Sequence, residues 1–399
     1  MGEKGDRMNR IMEDIAKITH GTSFQSYKYS IDSVRTPSPD YDDSPDDVEL
    51  WARDGETRPL NESKDLEDYA ADLARVRRTP CLQYFLDGSR HVCQVDDISY
   101  DARVFPVVAG QVGVACCQRI DGRMKAVQPV VRKLVVSLPN KCDKSGRYPD
   151  AFRANLKTKL NENQRLKGLG IQLDEILMYE TAHPEKSEFR DRGIATIQDY
   201  MINAEKELVD ALAQQGLLSS RAYLVKDGSL EYVPMKKSGR YANLKDFKNS
   251  YQYVVGVSKS FNPENCKDSA GKPNARAIIE LKPFHRTPVA RVKVKRIPDI
   301  EFAVWYIRLH KFPERTKTPF DGVIKVAKIM VTDNETRHGR NSGLDTDDVD
   351  MISASLINER CPTCYGSDLR YANHLYPVYL TESYIKSLYL SNDVFLSLF

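Results

Sequence analysis

Residues 81–139 read CLQYFLDGSRHVCQVDDISYDARVFPVVAGQVGVACCQRIDGRMKAVQPVVRKLVVSLP. Valine, isoleucine and aromatic residues alternate here with polar residues, and Asp-Gly pairs and single glycines interrupt the pattern. Alternation with a period of two is typical of half-buried strands, and interruptions of this kind are typical of turns. The stretch therefore predicts several strands that form an antiparallel meander and open a β-sheet.

Later segments extend this sheet. Residues 194–215 have apolar residues at helical spacing, and RAYLVKDGS (221–229) is a short apolar run bounded by turn residues. YQYVVGVSKSF (251–261) is another strand candidate, and IEFAVWYIRLH (300–310) with DGVIKVAKIMVT (321–332) predicts a strand pair. Because a strand–helix–strand unit returns the chain to the same sheet, the expected fold class is α/β, with a mixed sheet flanked by helices. A final helix is expected from residue 380.

Residues 1–79 predict a helical extension in front of this sheet. Apolar residues at helical spacing in 6–19 indicate an amphipathic helix, which needs a partner or the body of the chain to cover it. A second helix is expected over 61–78. Between them, SPDYDDSPDDV (38–48) contains five Asp and two Pro, which is typical of an exposed acidic linker, placed at about 33–50. The predicted division is an extension over 1–79 and one domain over 80–399.

Composition excludes several classes of protein. The chain has 399 residues, of which 41% are hydrophobic and 29% charged, which argues against whole-chain disorder and against a collagen-like scaffold. Lys and Arg total 59 and Asp and Glu 56, a net charge of +3, so binding to a phosphate polymer would need a local basic surface. The N-terminal stretch lacks the apolar core of a secretory signal, and no segment is apolar enough to span a membrane. These features predict a cytoplasmic protein.

Eight cysteines are scattered along the chain without the dense spacing of a disulfide framework, so reduced thiols are expected. Cys361 and Cys364 are the only pair with the spacing of metal ligands. Tetrahedral zinc needs four ligands, and no second pair accompanies them. A metal knuckle and an ordinary loop both remain open for this segment.

Two apolar runs end in Asp-Gly-Ser, at Asp87 and at Asp227. Asp-Gly is also a common hairpin signal and occurs five times, at 54, 87, 121, 227 and 321. Only the pairs at 87 and 227 precede a serine, whereas Asp121-Gly122 lies between two strand candidates and predicts a simple turn. Asp87 and Asp227 are therefore candidate site residues at strand ends.

The helix between these two segments has one acidic residue in an unusual place. Its apolar face is defined by Met201, Ile202, Ala204, Leu208, Val209, Ala211 and Leu212. At 100° per residue Glu205 falls within this face, whereas Glu207 points to water. A carboxylate on a buried face is costly unless a cation or a proton compensates it. Glu205 therefore requires an explanation.

One divalent cation would explain all three carboxylates. If Asp87, Glu205 and Asp227 meet, their mutual repulsion is relieved by a hard cation with a preference for oxygen, such as Mg²⁺ or Mn²⁺. Such an ion can polarise a phosphodiester and activate water. Lys259, on an otherwise apolar strand, and Arg90, close to Asp87, are candidate phosphate contacts; an exposed lysine that covers apolar surface is the alternative for Lys259.

A basic stretch, HRTPVARVKVKR (285–296), places Arg291, Lys293 and Lys295 on one face of a predicted strand. That face could follow a nucleic-acid backbone. It could equally be an edge strand that its lysines protect from pairing with other chains.

In this order, the motifs resemble the NurA nuclease family, whose domain resembles an RNase H fold. The resemblance covers about residues 80–390 and depends on the Asp87 strand, the helix with its glutamate, the Asp227 strand and the strand that ends at Lys259. WYIRL (305–309) and GVIKVAKI (322–329) are similar to the family's paired strands. The family's C-terminal Tyr-Pro is matched by Tyr376-Pro377, but the family's histidine falls near Tyr384; His374, Glu382 and Tyr384 are possible substitutes.

The resemblance implies metal-binding roles for Asp87, Glu205 and Asp227 and a catalytic or phosphate-contacting role for Lys259. It also implies a DNA nuclease with exonuclease and single-strand endonuclease activity, a homodimer that acts beside a HerA-type hexameric ATPase. DNA-end processing in repair and defence against foreign DNA would use the same chemistry. The helix at 6–19 and the final helix are candidate docking elements.

Two other functions remain open on the sequence. A catalytically inactive DNA-binding or assembly subunit on the same RNase H-like scaffold is suggested by the missing histidine. An RNase H-like recombinase or RNA-directed nuclease would have similar motifs.

Overall fold

The computed structural model describes residues 11–24, 28–30, 48–52, 54–76, 80–144, 146, 149–182, 188–230, 244–268, 270–295, 299–310, 318–362 and 372–399. Most of the acidic linker predicted at 33–50 lies outside these residues, and so does Cys364 of the predicted knuckle.

A single mixed sheet joins the strands of the described residues. Their bounds are β1 (Thr22–Ser23), β2 (Tyr29–Ser30), β3 (Val48–Ala52), β4 (Lys64–Asp65), β5 (Leu82–Tyr100), β6 (Arg103–Ile120), β7 (Arg123–Pro139), β8 (Glu175–Tyr179), β9 (Tyr223–Asp227), β10 (Val254–Ser258), β11 (His285–Arg286), β12 (Ala290–Val294), β13 (Glu301–Arg308) and β14 (Val323–Ile329). Their order is β3-β12-β13-β14-β10-β9-β5-β6-β7-β8, while β1 and β2 pair with β5, and β11 pairs with β4 and β13.

The direction of the strands explains how the site is positioned. β5, β6 and β7 are antiparallel neighbours, and β9 lies parallel to β5 on its other side. β10 continues in parallel beside β9, and the antiparallel pair β13–β14 follows. An antiparallel meander with a parallel return through a helix is the arrangement that the sequence predicts, and the α/β fold class with a mixed sheet flanked by helices is confirmed.

Helices cover both faces of the sheet. Their bounds are α1 (Ile11–Thr19), α2 (Glu67–Arg75), α3 (Pro149–Leu160), α4 (Gln164–Leu169), α5 (Phe189–Gln214), α6 (Leu244–Tyr251), α7 (Ala275–Ile279), α8 (Asp333–Thr336), α9 (Thr346–Asn358), α10 (Tyr376–Ser387) and α11 (Asn392–Ser397). Leu86 packs with Ile197 and Leu208 of α5, and this side is called the α5 face. Phe85 packs with residues of α9 and with Val378 of α10, and this side is called the α10 face.

The Asp-Gly pairs at 121 and 87 have different structures. Asp121 and Gly122 join β6 to β7 in a two-residue turn with φ of 51° and 73°, which confirms the predicted hairpin. Asp87 and Gly88 instead lie inside β5, a strand of 19 residues, so the expectation that a strand ends at Asp87 is wrong. Strand pairing continues through this point because Asp87 and Gly88 are opposite Ala115 and Val114 of β6.

The N-terminal residues are part of the same sheet. β1 and β2 pair with β5, and β3 pairs with β12. The apolar side of α1 is covered by the chain itself, because Ile11 and Ile15 lie in one core cluster with Phe395 and Leu398. The extension expected over 1–79 is thus, where it is described, packed on the body of the domain.

The basic stretch at 285–296 contains a buried arginine. β12 lies between β3 and β13, and Arg291 has no exposed surface. Its guanidinium donates to Glu301 at 2.5 Å and to backbone oxygens at the end of α8. A buried arginine with these partners braces the sheet against α8, so Arg291 has neither expected role, whereas Lys293 is partly exposed and Lys295 is exposed.

None of the described helices is long and apolar enough to cross a membrane. The described cysteines are free thiols, and Cys361 is buried.

Candidate active site

Asp87 and Asp227 lie side by side on the α10 face. In the parallel pair β5–β9, Phe85 is opposite Val225 and Leu86 is opposite Lys226, so Asp87 and Asp227 follow in the same register. Leu86 points to the α5 face, and side chains alternate along a strand. Both aspartates therefore point to the α10 face, and only 5% of Asp87 is exposed.

Lys259 lies directly beside Asp227. It follows β10, whose Val257 is opposite Asp227 in the parallel register. Its Nζ is 2.8 Å from Oδ2 of Asp227 and 3.2 Å from Nε2 of His374. An ammonium group can only donate, so His374 accepts at Nε2 when Lys259 is charged. This lysine therefore links a carboxylate and an imidazole on one face of the sheet.

Asn373 fixes the segment that carries His374. Its Nδ2 donates to the backbone oxygen of Val323 at 2.7 Å and of Lys259 at 3.3 Å. Its Oδ1 accepts from Gly322 N at 2.9 Å. The amide of Asn373 thus ties the residue before His374 to the residue after β10 and to the start of β14.

Glu382 is a third carboxylate on this face. It lies on α10, one residue after Thr381, whose hydroxyl donates to the backbone oxygen of Phe85 at 3.4 Å. Burial alone would raise the pKa of Glu382, but a hydrogen bond from Lys386 and the charges of Lys386 and Lys259 outweigh burial. The pKa of Glu382 is therefore lowered, and this carboxylate is ionised near neutral pH.

The charges on the α10 face shift two further groups. Burial, followed by the negative charge of Asp227, raises the pKa of Asp87 well above its usual range, although Lys259 opposes this shift. Burial would lower the pKa of Lys259, but the charges of Asp227 and Asp87 prevail and raise it. Asp87 can hence hold a proton at a pH where an exposed aspartate cannot, while Lys259 remains a cation.

Glu205 is buried as the helical periodicity predicts, but it lies on the other face of the sheet. A Cβ added at Gly88 would overlap the Glu205 carboxylate, and Gly88 points to the face opposite that of Asp87. The Oε2 of Glu205 is 2.8 Å from Nζ of Lys226. The structure thus differs from the expected cluster of Asp87, Glu205 and Asp227, because one residue along a strand reverses the direction of the side chain.

The charge of Glu205 still reaches the other two carboxylates, because only the backbone of Gly88 separates the two faces there. Burial raises the pKa of Glu205, while Lys226 opposes this and Asp227 adds to it. Glu382 influences the pKa of Asp87 more strongly than Glu205 does. Of the carboxylates considered, Asp227 and Glu382 are therefore more closely coupled to Asp87.

Asp87, Asp227, Lys259, His374 and Glu382 are called the α10 cluster, and Arg90 is not brought to it. Arg90 shares the α5 face with Gly88, two residues before it in β5, so it lies across the sheet from Lys259. Its Nη1 is buried and has no hydrogen-bond partner among the described residues. Tyr384 lies on α10 as Glu382 does; of the possible substitutes for the family's histidine, His374 contacts Lys259 and Glu382 raises the pKa of Asp87.

Lys226, the partner of Glu205, is not among the site residues predicted from the sequence. Lys226 is only 4% exposed and also donates to the backbone oxygen of Asp227 at 2.8 Å. The sequence does contain a sign of this burial, because the lysine lies inside the apolar run AYLVKD. Side chains alternate along a strand, so the lysine points to the same face as the apolar residue two positions before it. On the α5 face this position meets the glutamate of the neighbouring helix.

The donor chemistry of the α10 cluster suits a hard divalent cation, because Asp87, Asp227 and Glu382 offer carboxylate oxygens. In the part of the chain that the structure describes, no group of three or more His, Cys, Asp or Glu side chains is spaced as a ready set of metal ligands. Asp227 is neutralised by Lys259 and Glu205 by Lys226. Binding of a cation would therefore require some of these side chains to rearrange.

Neither a scan against protein-family models nor a search of curated proteins finds a match for this chain.

Proposed function

We propose that the protein is a metal-dependent DNA nuclease that hydrolyses phosphodiester bonds at the α10 cluster, namely Asp87, Asp227, Lys259, His374 and Glu382. The observation that carries this proposal is the contact between Lys259 and Asp227 beside the buried Asp87, on adjacent parallel strands. Carboxylates next to a fixed cation combine oxygen ligands for a metal with a contact for phosphate.

Each residue has a distinct role in this proposal. Mn²⁺ or Mg²⁺, held by Asp87 and Asp227, would neutralise charge on the phosphate and favour attack by water. Lys259 binds a phosphate oxygen, and His374 orients its ammonium group from the other side. Because a metal ligand must be deprotonated, the cation would displace the proton that the raised pKa of Asp87 favours. Glu205 would contribute only after leaving Lys226.

The wider function is proposed from the order of the sequence motifs. On that resemblance the protein is a cytoplasmic homodimeric nuclease that acts on DNA ends or foreign DNA together with a HerA-type hexameric ATPase. α1 is packed into the domain, which leaves less of this helix for docking than the sequence predicted.

A second candidate function is a catalytically inactive DNA-binding or assembly subunit. The pairing of Asp227 with Lys259 and of Glu205 with Lys226 favours it, because lysines already neutralise two of the carboxylates. A site that works through these ion pairs alone would hold DNA without cleaving it.

Cleavage of labelled oligonucleotides separates these functions. Single-stranded DNA, duplex DNA and RNA of one sequence are incubated with the purified protein and Mn²⁺, Mg²⁺ or a chelator. The nuclease proposal predicts metal-dependent cleavage of DNA by the wild type and its loss in Asp87→Asn. Binding without cleavage would support the inactive subunit, and preferential cleavage of RNA would support an RNA-directed enzyme.

A further inference from the structure

Three aromatic rings lead from the α10 cluster to the surface. His374 is buried, with 3% of its surface exposed, and its ring centroid lies 6.2 Å from that of Tyr379 in an edge-on contact. The ring of Tyr379 is nearly parallel to that of Tyr376, at 21° and 6.4 Å between centroids. Tyr376 is 36% exposed, whereas Tyr379 is partly covered. These two tyrosines are called the tyrosine ledge.

The backbone of the ledge is fixed on both sides of Tyr376. Its N–H donates to the backbone oxygen of Glu359 at 2.7 Å. The carboxylate of Glu359 accepts two hydrogen bonds from Arg119, and the guanidinium of Arg119 lies 5.2 Å from the ring centroid of Phe85. Pro377 follows Tyr376 in the first turn of α10, and its ring fixes its own φ at a helical value. The ledge is thus held in place before any ligand binds.

The ring of Tyr376 is large, apolar and partly exposed, and the side chains proposed to bind phosphate lie behind it. This position suits a ring that contacts part of the same ligand. Nucleobases stack on aromatic side chains, and unpaired bases can do so because they are not held in a duplex. Lys259 would bind the phosphate of the same strand, since its Nζ contacts the imidazole against which Tyr379 packs. Lys259 would therefore contact the backbone of a nucleotide, while the tyrosine ring contacts its base.

We propose that Tyr376 and Tyr379 form a base-stacking platform that selects unpaired DNA for the α10 cluster. This inference depends on the proposed function for its biological meaning, but binding to the platform requires no cleavage. In this arrangement Tyr376 contacts a base directly, whereas Tyr379 supports the ring of Tyr376 and joins the ledge to His374. A duplex end would have to fray before its terminal base reached the ledge.

Binding of a short fluorescent single-stranded DNA tests the platform in the Asp87→Asn background, with and without Mn²⁺, so that the DNA stays intact. Tyr376→Ala is expected to weaken binding by roughly 5- to 150-fold, the equivalent of one lost stacking contact. Tyr376→Phe keeps the ring and should bind as the parent protein does. Phe24→Ala is the matched control, because Phe24 is a 54% exposed aromatic residue whose N–H donates to the backbone oxygen of Asp97, far along β5 from Asp87.

Oligonucleotides with a single abasic site give the decisive measurement. The platform predicts that one abasic position weakens binding by the parent protein and that the same position has no further effect in Tyr376→Ala. Equal losses in both proteins, or equal binding by Tyr376→Ala and the parent, would overturn it. Absence of cleavage by the wild type would reject the nuclease while leaving this result intact, so the two failures are distinguishable.

Discussion

The burial of Asp87 beside Asp227 has a cost that can be measured. Its pKa in the folded protein lies above that of the unfolded chain, near 3.9. The free energy of unfolding that depends on Asp87 is therefore greatest below this value and decreases as the pH rises towards the folded-state pKa. At neutral pH the ionised form is disfavoured in the folded protein, as is common for catalytic carboxylates.

Asp87→Asn should consequently stabilise the protein at pH 7. The amide cannot ionise, so we expect the free energy of unfolding to rise by on the order of 1 kcal/mol, with little difference from wild type near pH 4. Denaturant unfolding across this pH range measures the effect. Asp121→Asn, in the turn between β6 and β7, is the control and should show no such pH dependence. A destabilised Asp87→Asn at pH 7 would contradict the burial argument.

Glu205 and Lys226 form the second residue-scale test. Removing one charge of a buried pair leaves the other uncompensated, so Glu205→Gln should lower the free energy of unfolding by about 3–5 kcal/mol. The double variant Glu205→Leu/Lys226→Met should recover most of this loss, because apolar side chains can replace a buried pair.

The same double variant separates a structural from a catalytic glutamate. Because Glu205 lies across the sheet from Asp87, we expect the folded double variant to cleave DNA within about tenfold of the wild type, far less than the loss of a catalytic group. Complete loss of cleavage in a folded double variant would assign Glu205 the metal-binding role that the sequence predicts.

At the scale of elements, β5 depends on the absence of a side chain at residue 88. A Cβ there would overlap the Glu205 carboxylate, which cannot move away without leaving Lys226. Gly88→Ala is therefore expected to cost about 1–3 kcal/mol of stability, as judged by denaturant unfolding. Gly168→Ala in α4 is the control, because no atom lies within 4 Å of an added Cβ, and it should be neutral or slightly stabilising. An unchanged stability in Gly88→Ala would place Glu205 elsewhere.

α5 and β5 together show how far sequence periodicity can identify a site. The phase of α5 correctly separates the buried Glu205 from the exposed Glu207. The Asp-Gly pair at 121 makes a turn, but the same pair at 87 continues a strand, since local sequence does not reveal whether a partner strand is paired alongside. Strand alternation determines the face of the sheet on which each carboxylate lies. The expectation that the strand ends at Asp87 prevented this rule from being applied there.

At the scale of the whole molecule, the N-terminal residues are locked to the domain by a buried ion cluster. Arg286 has no exposed surface and binds Glu56 through two nitrogens, at 2.7 and 3.0 Å, and Asp350 at 2.8 Å. Lys64 of β4 also binds Asp350. These contacts join residues 56–65 to β11 and α9, so this part of the extension stabilises the domain that it precedes.

Glu56→Gln should therefore destabilise the entire domain. Only one charge of a buried cluster is lost, and we expect a decrease of about 3–5 kcal/mol in the free energy of unfolding, in a single transition. Asp150→Asn, which removes an exposed partner of Arg153, should have little effect. A separate early transition in the variant, with the remainder unchanged, would show instead that the N-terminal residues unfold independently.

Such long-range pairing explains why the sequence predicted the fold class but not which distant segments lie side by side in the sheet. Alternation and helical spacing locate β6, β7 and α5. They do not reveal which distant segment pairs with a given strand of the sheet. The pairings of β3 with β12 and of β1 with β5 are of this kind. His374 and Glu382 reach the site through the same long-range packing, so they could be named as alternatives but not chosen.

The central claim is that the α10 cluster hydrolyses DNA, and the rate of cleavage by Asp227→Asn tests it most directly. Asp210→Asn is the matched control, because Asp210 is also a buried carboxylate but lies on α5 and accepts hydrogen bonds from Ser250 and Gln214. With saturating Mn²⁺ and single-stranded DNA, Asp227→Asn should cleave about 100-fold more slowly than wild type or worse, while folded Asp210→Asn should match wild type. Equal rates in Asp227→Asn and wild type would contradict the account.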